Sequence, residues 1–275
     1  FSKIKKTYQY PDLQTLKGHM TTIGKQIDRE GFNEKLAPLI VGFSGYGHVS
    51  NGAQEIIDLF PLVELQPRQI STAFDEPSNN CIYKVIFKEE DMVTSKDPTQ
   101  KFVLQEYYQH PDQFESKFHQ YLSKLSILMN CIYWDERYPR LLTNQLLKEQ
   151  IHLNSFRLHI VGDISVDVNG AIQPTYKVTT PEQPVYVYNP DTGSYVEGYA
   201  GEGLAIMAVD NLPCELPKDA SNAFSEVLWH FIPSILQADY TTPFEDLNLP
   251  PEIKNAVILY RGELTPSYRY INNFL

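Results

Sequence analysis

Gly45 and Gly47 stand two positions apart where an apolar run (Leu36, Leu39, Ile40, Val41, Phe43) gives way to Ala53, Ile56, Ile57 and Phe60 at helical spacing. Glycine in the first position permits a tight strand-to-helix turn. Glycine in the second lets backbone approach a pyrophosphate at the helix N-terminus. Ser50 takes the third position of that fingerprint, where a small residue governs how closely helix and strand pack more than how phosphate is held. Gly45, Tyr46, Gly47, His48, Val49 and Ser50 therefore read as a dinucleotide cradle. The same residues also suit an ordinary glycine turn between a buried strand and a core helix.

A second group is Gly162-Asp163-Ile164-Ser165-Val166-Asp167, which follows the strand candidate 157–161. Two carboxylates four positions apart at a strand end can orient a cofactor or handle a proton, or can serve as turn and cap residues. Ribose recognition is expected roughly 20 residues beyond the glycines, a window that holds Glu64, Gln66 and Arg68. An acid there holds ribose hydroxyls. A base accommodates a 2′-phosphate, through a charge-assisted bond worth roughly 1.5 to 3 kcal/mol, so Arg68 is either that base or a solvated loop cation. His110 and His119 lack metal-ligand spacing, and Cys81, Cys131 and Cys214 form neither a metal cluster nor a disulfide framework. No metal site is expected.

The elements that must position these residues are legible in outline. Pro11 and Asp12 open a segment with Leu13, Leu16, Met20, Ile23 and Ile27 on one face, closing at Gly31 as an amphipathic helix. After the strand, glycine turn and helix of 36–60, Pro61 breaks the pattern ahead of a short strand over 62–65. Residues 71–80 read as turns, 81–87 as a strand and 88–101 as an exposed charged loop. Pro111 reads as the start of a helix with Phe114, Phe118, Tyr121, Leu122 and Leu125 on its apolar side. A buried strand over 126–133 then leads to Trp134 and Arg140, with Thr143 as the N-cap of a short helix and 157–161 as the next strand. Loops and short strands over 171–199 precede an apolar strand over 204–209. A helix over 219–236 is expected to bury Trp229 and Phe231, and a last helix over 251–259 precedes a tyrosine-rich tail.

This alternation predicts an α/β fold: a doubly wound, mostly parallel Rossmann-like sheet with flanking helices and a C-terminal helical segment. Expected boundaries are a linking helix over 1–35, a dinucleotide-binding domain over 36–240, and a helix and tail over 241–275. Ligands of such sheets lie at the carboxyl ends of the strands, so 45–50, 134–140 and 163–167 should share one crevice.

With 275 residues, 42% of them hydrophobic, the chain can bury a full core. A net charge of −11 without any run of Lys and Arg argues against a nucleic-acid partner. No apolar stretch approaches the ~18 residues of a membrane span, so no membrane partner is expected. The first residue is Phe1, which leads to the expectation of a trimmed or partial chain whose targeting segment is already gone.

In order and wording, the blocks GFSGYGHVSNGAQEI (42–56), NCIYWDERYPRLLT (130–143), GDISVDVNGAI (162–172), EGYAGEGLAIMAVDNLPCELPKDAS (197–221) and PSYRYI (266–271) resemble one family. It is the lysine-ketoglutarate reductase part of the aminoadipic semialdehyde synthases, within the superfamily of alanine dehydrogenase, transhydrogenase and saccharopine dehydrogenases. The resemblance implies a reductive condensation of an amino acid, lysine, with a 2-oxo acid, 2-oxoglutarate, giving saccharopine. The cofactor it implies is NADP(H), with NAD(H) as the alternative. It further implies that the 45–50 turn holds the pyrophosphate, that Gln66 to Arg68 lie beside the adenosine ribose, and that Asp163, Ser165 and Asp167 lie near the nicotinamide. Trp134 joins the cofactor site, and Asp210, Asn211 and Leu212 form its last wall. Asp163 and Asp167 become the catalytic candidates.

Family members carry a substrate-binding domain ahead of the segment matching Phe1, and it supplies the expected acid-base lysine and histidine. The chain is thus expected to be inactive or weakly active alone, to belong to the cytoplasm or the mitochondrial matrix, and to come from an oligomeric superfamily. The rival expectation is a non-catalytic interaction or sensor domain that keeps the fold, which a crevice filled by Tyr46 or His48 would favour.

Overall fold

The computed structural model describes residues 2–274. Two compact units divide it, residues 1–216 and 217–275. In chain order the first contains α1 (Leu13–Glu30), β1 (Leu39–Ser44), α2 (His48–Ile57), β2 (Leu62–Leu65), β3 (Ile82–Phe87), α3 (Glu89–Met92), β4 (Val93–Ser95), α4 (Leu104–Gln109), β5 (Phe114–Ser116) and α5 (His119–Leu122). It continues with β6 (Ile127–Asn130), α6 (Asn144–Ile151), β7 (Ile160–Asp163), β8 (Val185–Asn189), β9 (Ser194–Glu197) and β10 (Leu204–Met207).

Eight strands form one sheet in the order β2-β3-β1-β6-β7-β10-β8-β9. The first six in that row run parallel, and β8 and β9 complete the edge antiparallel. This is the expected doubly wound, mostly parallel Rossmann-like α/β sheet. All six residues of β1 are buried, as befits a central strand covered on both faces. Alternation sorts its side chains: Leu39, Val41 and Phe43 pack with Leu16, Met20, Ile23 and Ile27 of α1. Ile40 faces the other way, into a core with Phe87, Phe118, Leu122 and Leu128. The helix α1 begins where expected, Asp12 accepting a 2.7 Å bond from the Thr15 N–H, and ends at Gly31 with φ +72°.

Several segments differ from expectation. Residues 88–101 are not simply an exposed loop, because Met92, Val93 and Ser95 are buried and β4 pairs antiparallel with β5. The residues expected on one face of a helix from Pro111 are all buried, yet Phe114 lies in β5 and only His119–Leu122 is α-helical. Their spacing satisfies a helix, but a strand partner 19 residues upstream, Ser95 opposite Phe114, competes and wins. Likewise the strand expected over 157–161 begins only at Ile160 and ends at Asp163.

The second unit holds α7 (Pro217–Trp229), α8 (Ile232–Gln237), α9 (Pro251–Ala256) and the two-stranded β11 (Leu259–Tyr260) and β12 (Glu263–Leu264). The helix expected over 219–236 is two, because Pro233 sits in the first turn of α8. Trp229 is not core: it is 72% exposed, no residue of α7 is buried, and Phe231 is half-buried. No helix of the described residues is long and apolar enough to cross a membrane.

Candidate functional site

All the loops singled out from sequence leave the carboxyl edge of the sheet. At that edge one row crosses four strands, with Phe87, Ser44, Asn130 and Asp163 aligned as partners at the ends of β3, β1, β6 and β7. The β1–β6 boundary is where strand order reverses, the usual crevice of an open α/β sheet.

The glycine turn leaves β1 here. Gly45 has φ +88° and its N–H donates to Phe87 O at 3.0 Å, tying the turn to the end of β3. Such a φ strains any residue with a Cβ. Gly47 is the N-cap of α2, makes no side-chain cap, and a Cβ built on it meets nothing within 4 Å. The first bond into the helix runs from Asn51 N to Gly47 O, 2.9 Å, so the N–H groups of His48, Val49 and Ser50 precede the intrahelical ladder. Three backbone donors and open space at a ten-residue helix start fit a dinucleotide pyrophosphate. The Ser50 side chain is buried and accepts a 2.9 Å bond from Gln54 Nε2, so its part in the turn is packing plus its backbone N–H. Tyr46 and His48 are exposed, with Tyr46 on the wall of the cavity beside the turn.

The aspartate turn is built differently. Asp163 is 1% exposed. Its Oδ1 accepts from Asn130 Nδ2 at 2.9 Å and from the Val166 N–H at 3.3 Å, and its Oδ2 from Thr175 Oγ1 at 2.5 Å. Ser44 Oγ donates to Asn130 Oδ1 at 2.8 Å, which extends the chain of buried polar groups to β1. Burial raises the Asp163 carboxyl above the ordinary carboxylate value even though these three donors pull the other way. Asp167 is exposed, and partial desolvation raises its carboxyl as well. Between them Val166 holds φ +56°, a left-handed conformation costly for a β-branched residue. The turn closes on Gly170, whose N–H donates to Asp167 O at 2.8 Å and where a Cβ would lie 2.4 Å from that of Asp167.

Two side chains bind this turn to the loop after β6. Ser165 Oγ donates to Ile132 O at 2.5 Å, and the Arg140 guanidinium donates to the carbonyls of Asn169 and Gly170 at 3.0 to 3.3 Å. Arg140 also lies 4.8 Å over the ring of Trp134, whose Nε1 donates to Tyr138 O. Trp134, Ser165 and Asp167 are thus held in one connected set of loops. Asp210, Asn211 and Leu212 follow β10 at the same edge, but no side-chain hydrogen bond among the described residues joins them to either aspartate.

Beside the glycine turn a cavity of about 790 Å³ is lined by Tyr46, Gln66, Arg68, Lys88 and Glu89 among others. Arg68 is exposed and its Nε donates to Gln66 Oε1 at 2.8 Å, while Glu64 pairs with Lys84 of β3 at 3.2 Å. A second cavity, about 690 Å³ and mainly apolar, lies at the opposite edge, where Leu39, Ile82, Ile127 and Ile160 begin their strands. Neither turn reaches it.

Sequence reasoning missed Ser44, Asn130, Thr175 and Lys88. Asn130 carried a signal, a polar residue closing the apolar run Ile127-Leu-Met129; Thr175 carried none. Among the described residues no group of three or more His, Cys, Asp or Glu side chains could hold a metal ion.

A family described as alanine dehydrogenase/PNT, C-terminal domain, matches residues 99–267, a span that begins after the glycine turn. Alpha-aminoadipic semialdehyde synthase of Arabidopsis thaliana is 35% identical over 285 residues, covering 98% of this chain and 26% of that protein. The mitochondrial alpha-aminoadipic semialdehyde synthase of Bos taurus is 28% identical, covering 86% of this chain and 27% of its own length. A saccharopine dehydrogenase [NAD(+), L-lysine-forming] of Yarrowia lipolytica is 33% identical over 43% of this chain and 29% of its own length. The chain spans about a quarter of the length of these relatives.

Proposed function

Because the chain belongs to the alanine dehydrogenase/PNT C-terminal domain family, we propose that it is the nicotinamide-dinucleotide-binding part of an oxidoreductase acting on a carbon–nitrogen bond. The reaction proposed for the longer protein is the condensation of lysine with 2-oxoglutarate to an imine and its reduction to saccharopine, as the relatives' names suggest. Bound at this edge, the cofactor would supply a hydride to the imine carbon.

The observation that carries this reading is the open glycine turn at the strand-order reversal. His48, Val49 and Ser50 direct backbone N–H groups at the pyrophosphate, and Gly47 leaves room for it. Asp163 does not touch the reactants in this reading. Its carboxylate anchors the turn that presents Asp167, and Asp167 is the aspartate that meets nicotinamide or substrate. Arg140 and Ser165 hold that turn against the Trp134 loop. The substrate amine and carboxylates are bound by a further domain such as the one that the resemblance implies.

The test is a fluorescence titration of the chain with NADPH and NADH, repeated on Gly47→Leu. Saturable binding to the parent chain, lost in the variant while its circular dichroism is unchanged, is expected, since the new side chain points into open space. Undiminished binding to the variant would refute the cradle.

A further inference from the structure

Strand order moves the ribose-reading position. In dinucleotide sheets the residue that selects between ribose hydroxyls and a 2′-phosphate stands at the carboxyl end of the strand next to the glycine-turn strand. Counting about 20 residues along the chain leads to β2 and its Gln66–Arg68 loop. In space β3 intervenes: it pairs with β1 along its whole length, Ser44 opposite Phe87, and Gly45 N bonds to Phe87 O. The residue one step beyond that bond is Lys88. An acid that holds ribose hydroxyls would stand at this position, and the chain has a cation there.

The surroundings suit an anion arriving from the glycine turn. Lys88 Nζ lies 5.9 Å from the Tyr46 ring centroid, and Lys88, Tyr46 and Arg68 line the same 790 Å³ cavity. Among the described residues neither Lys88 nor Arg68 forms an ion pair. Of the four carboxylates that line the cavity, three have partners of their own, Glu89 with the Tyr108 hydroxyl at 2.7 Å, Glu64 with Lys84, and Asp91 with the Lys88 backbone N–H at 3.0 Å; the fourth, Glu90, is exposed to solvent.

We propose that Lys88 is the specificity-determining residue for the dinucleotide, contacting a 2′-phosphate with Arg68 as a second cation, so that the chain prefers NADP(H). This rests on the dinucleotide reading above. The experiment titrates the parent chain, Lys88→Gln and Lys88→Arg with NADPH, NADH and 2′,5′-ADP at one stated ionic strength. Lys88→Gln should weaken NADPH and 2′,5′-ADP about 10-fold to 100-fold and leave NADH unchanged, and Lys88→Arg should restore most of the preference. Equal weakening of both dinucleotides, an unchanged preference, or a parent chain that binds NADH as tightly as NADPH would each overturn the assignment while the cradle stands. A parent chain that binds neither dinucleotide overturns the cradle and this assignment together.

Discussion

The two turns at the carboxyl edge use opposite strategies. The 45–50 turn uses one backbone donor, Gly45 N–H, to tie itself to β3 and leaves those of His48, Val49 and Ser50 ahead of the helical ladder, with Gly47 facing empty space. The 163–170 turn spends everything internally: both oxygens of Asp163 are occupied, a strained Val166 bends the chain, and Arg140 clamps the far end. A turn that binds through backbone needs permissive residues and little support. A turn that presents one carboxylate at a fixed place needs a buried frame, since an unsupported loop samples many positions.

That contrast can be broken most directly at Asp163. Replacing it with alanine leaves Asn130 Nδ2 and Thr175 Oγ1 as buried donors without a partner, so Asp163→Ala should lose about 2 to 5 kcal/mol in urea unfolding. A loss below about 0.5 kcal/mol, the level of a neutral surface change, would show that the frame is not what holds the turn. Smaller is the expected effect of Gly45→Ala. Its φ of +88° and a Cβ only 3.1 Å from Ile132 Cγ2 should cost about 1 to 3 kcal/mol, read as a lower unfolding temperature. Gly47→Ala, at φ −78° with free space, should stay close to the parent.

A further effect is a slope. Because burial raises Asp163, the folded chain holds that proton more tightly than the unfolded chain does. This carboxyl therefore favours folding below the ordinary carboxylate value, loses that advantage as pH rises towards the raised folded value, and adds no further slope above it. Asp163→Asn, which can keep most of the bonding pattern, should remove a slope of at most about 1.4 kcal/mol per pH unit from that window. Unfolding curves collected from pH 4 upwards for both proteins would show it, and parallel curves would mean that the carboxyl is not perturbed.

The glycine turn was legible because its demands are local: residue type alone says where a positive φ and a close backbone approach are tolerated. The division of labour between the aspartates was not. Asp163 and Asp167 are equivalent as letters four apart, and only the arrival of Asn130 and Thr175 from elsewhere in the chain makes one an anchor and leaves the other exposed. In the same way, Phe114, Phe118, Tyr121, Leu122 and Leu125 were recognised as core while their element was misread, since periodicity reports burial before it reports backbone pairing.

By itself, then, the sequence determined the alternation of strands and helices, most core residues of the first unit, the Asp12 and Thr143 caps and the glycine turn, all of which depend on neighbours within a few positions. Tertiary structure decided which strand lies beside β1, and with it that Lys88 and not the Gln66–Arg68 loop stands next to Gly45. It also decided which carboxylate is buried and that α7 carries no core residue. Strand order and burial are set by the summed packing of segments far apart in the chain, and no local pattern of residues encodes that sum.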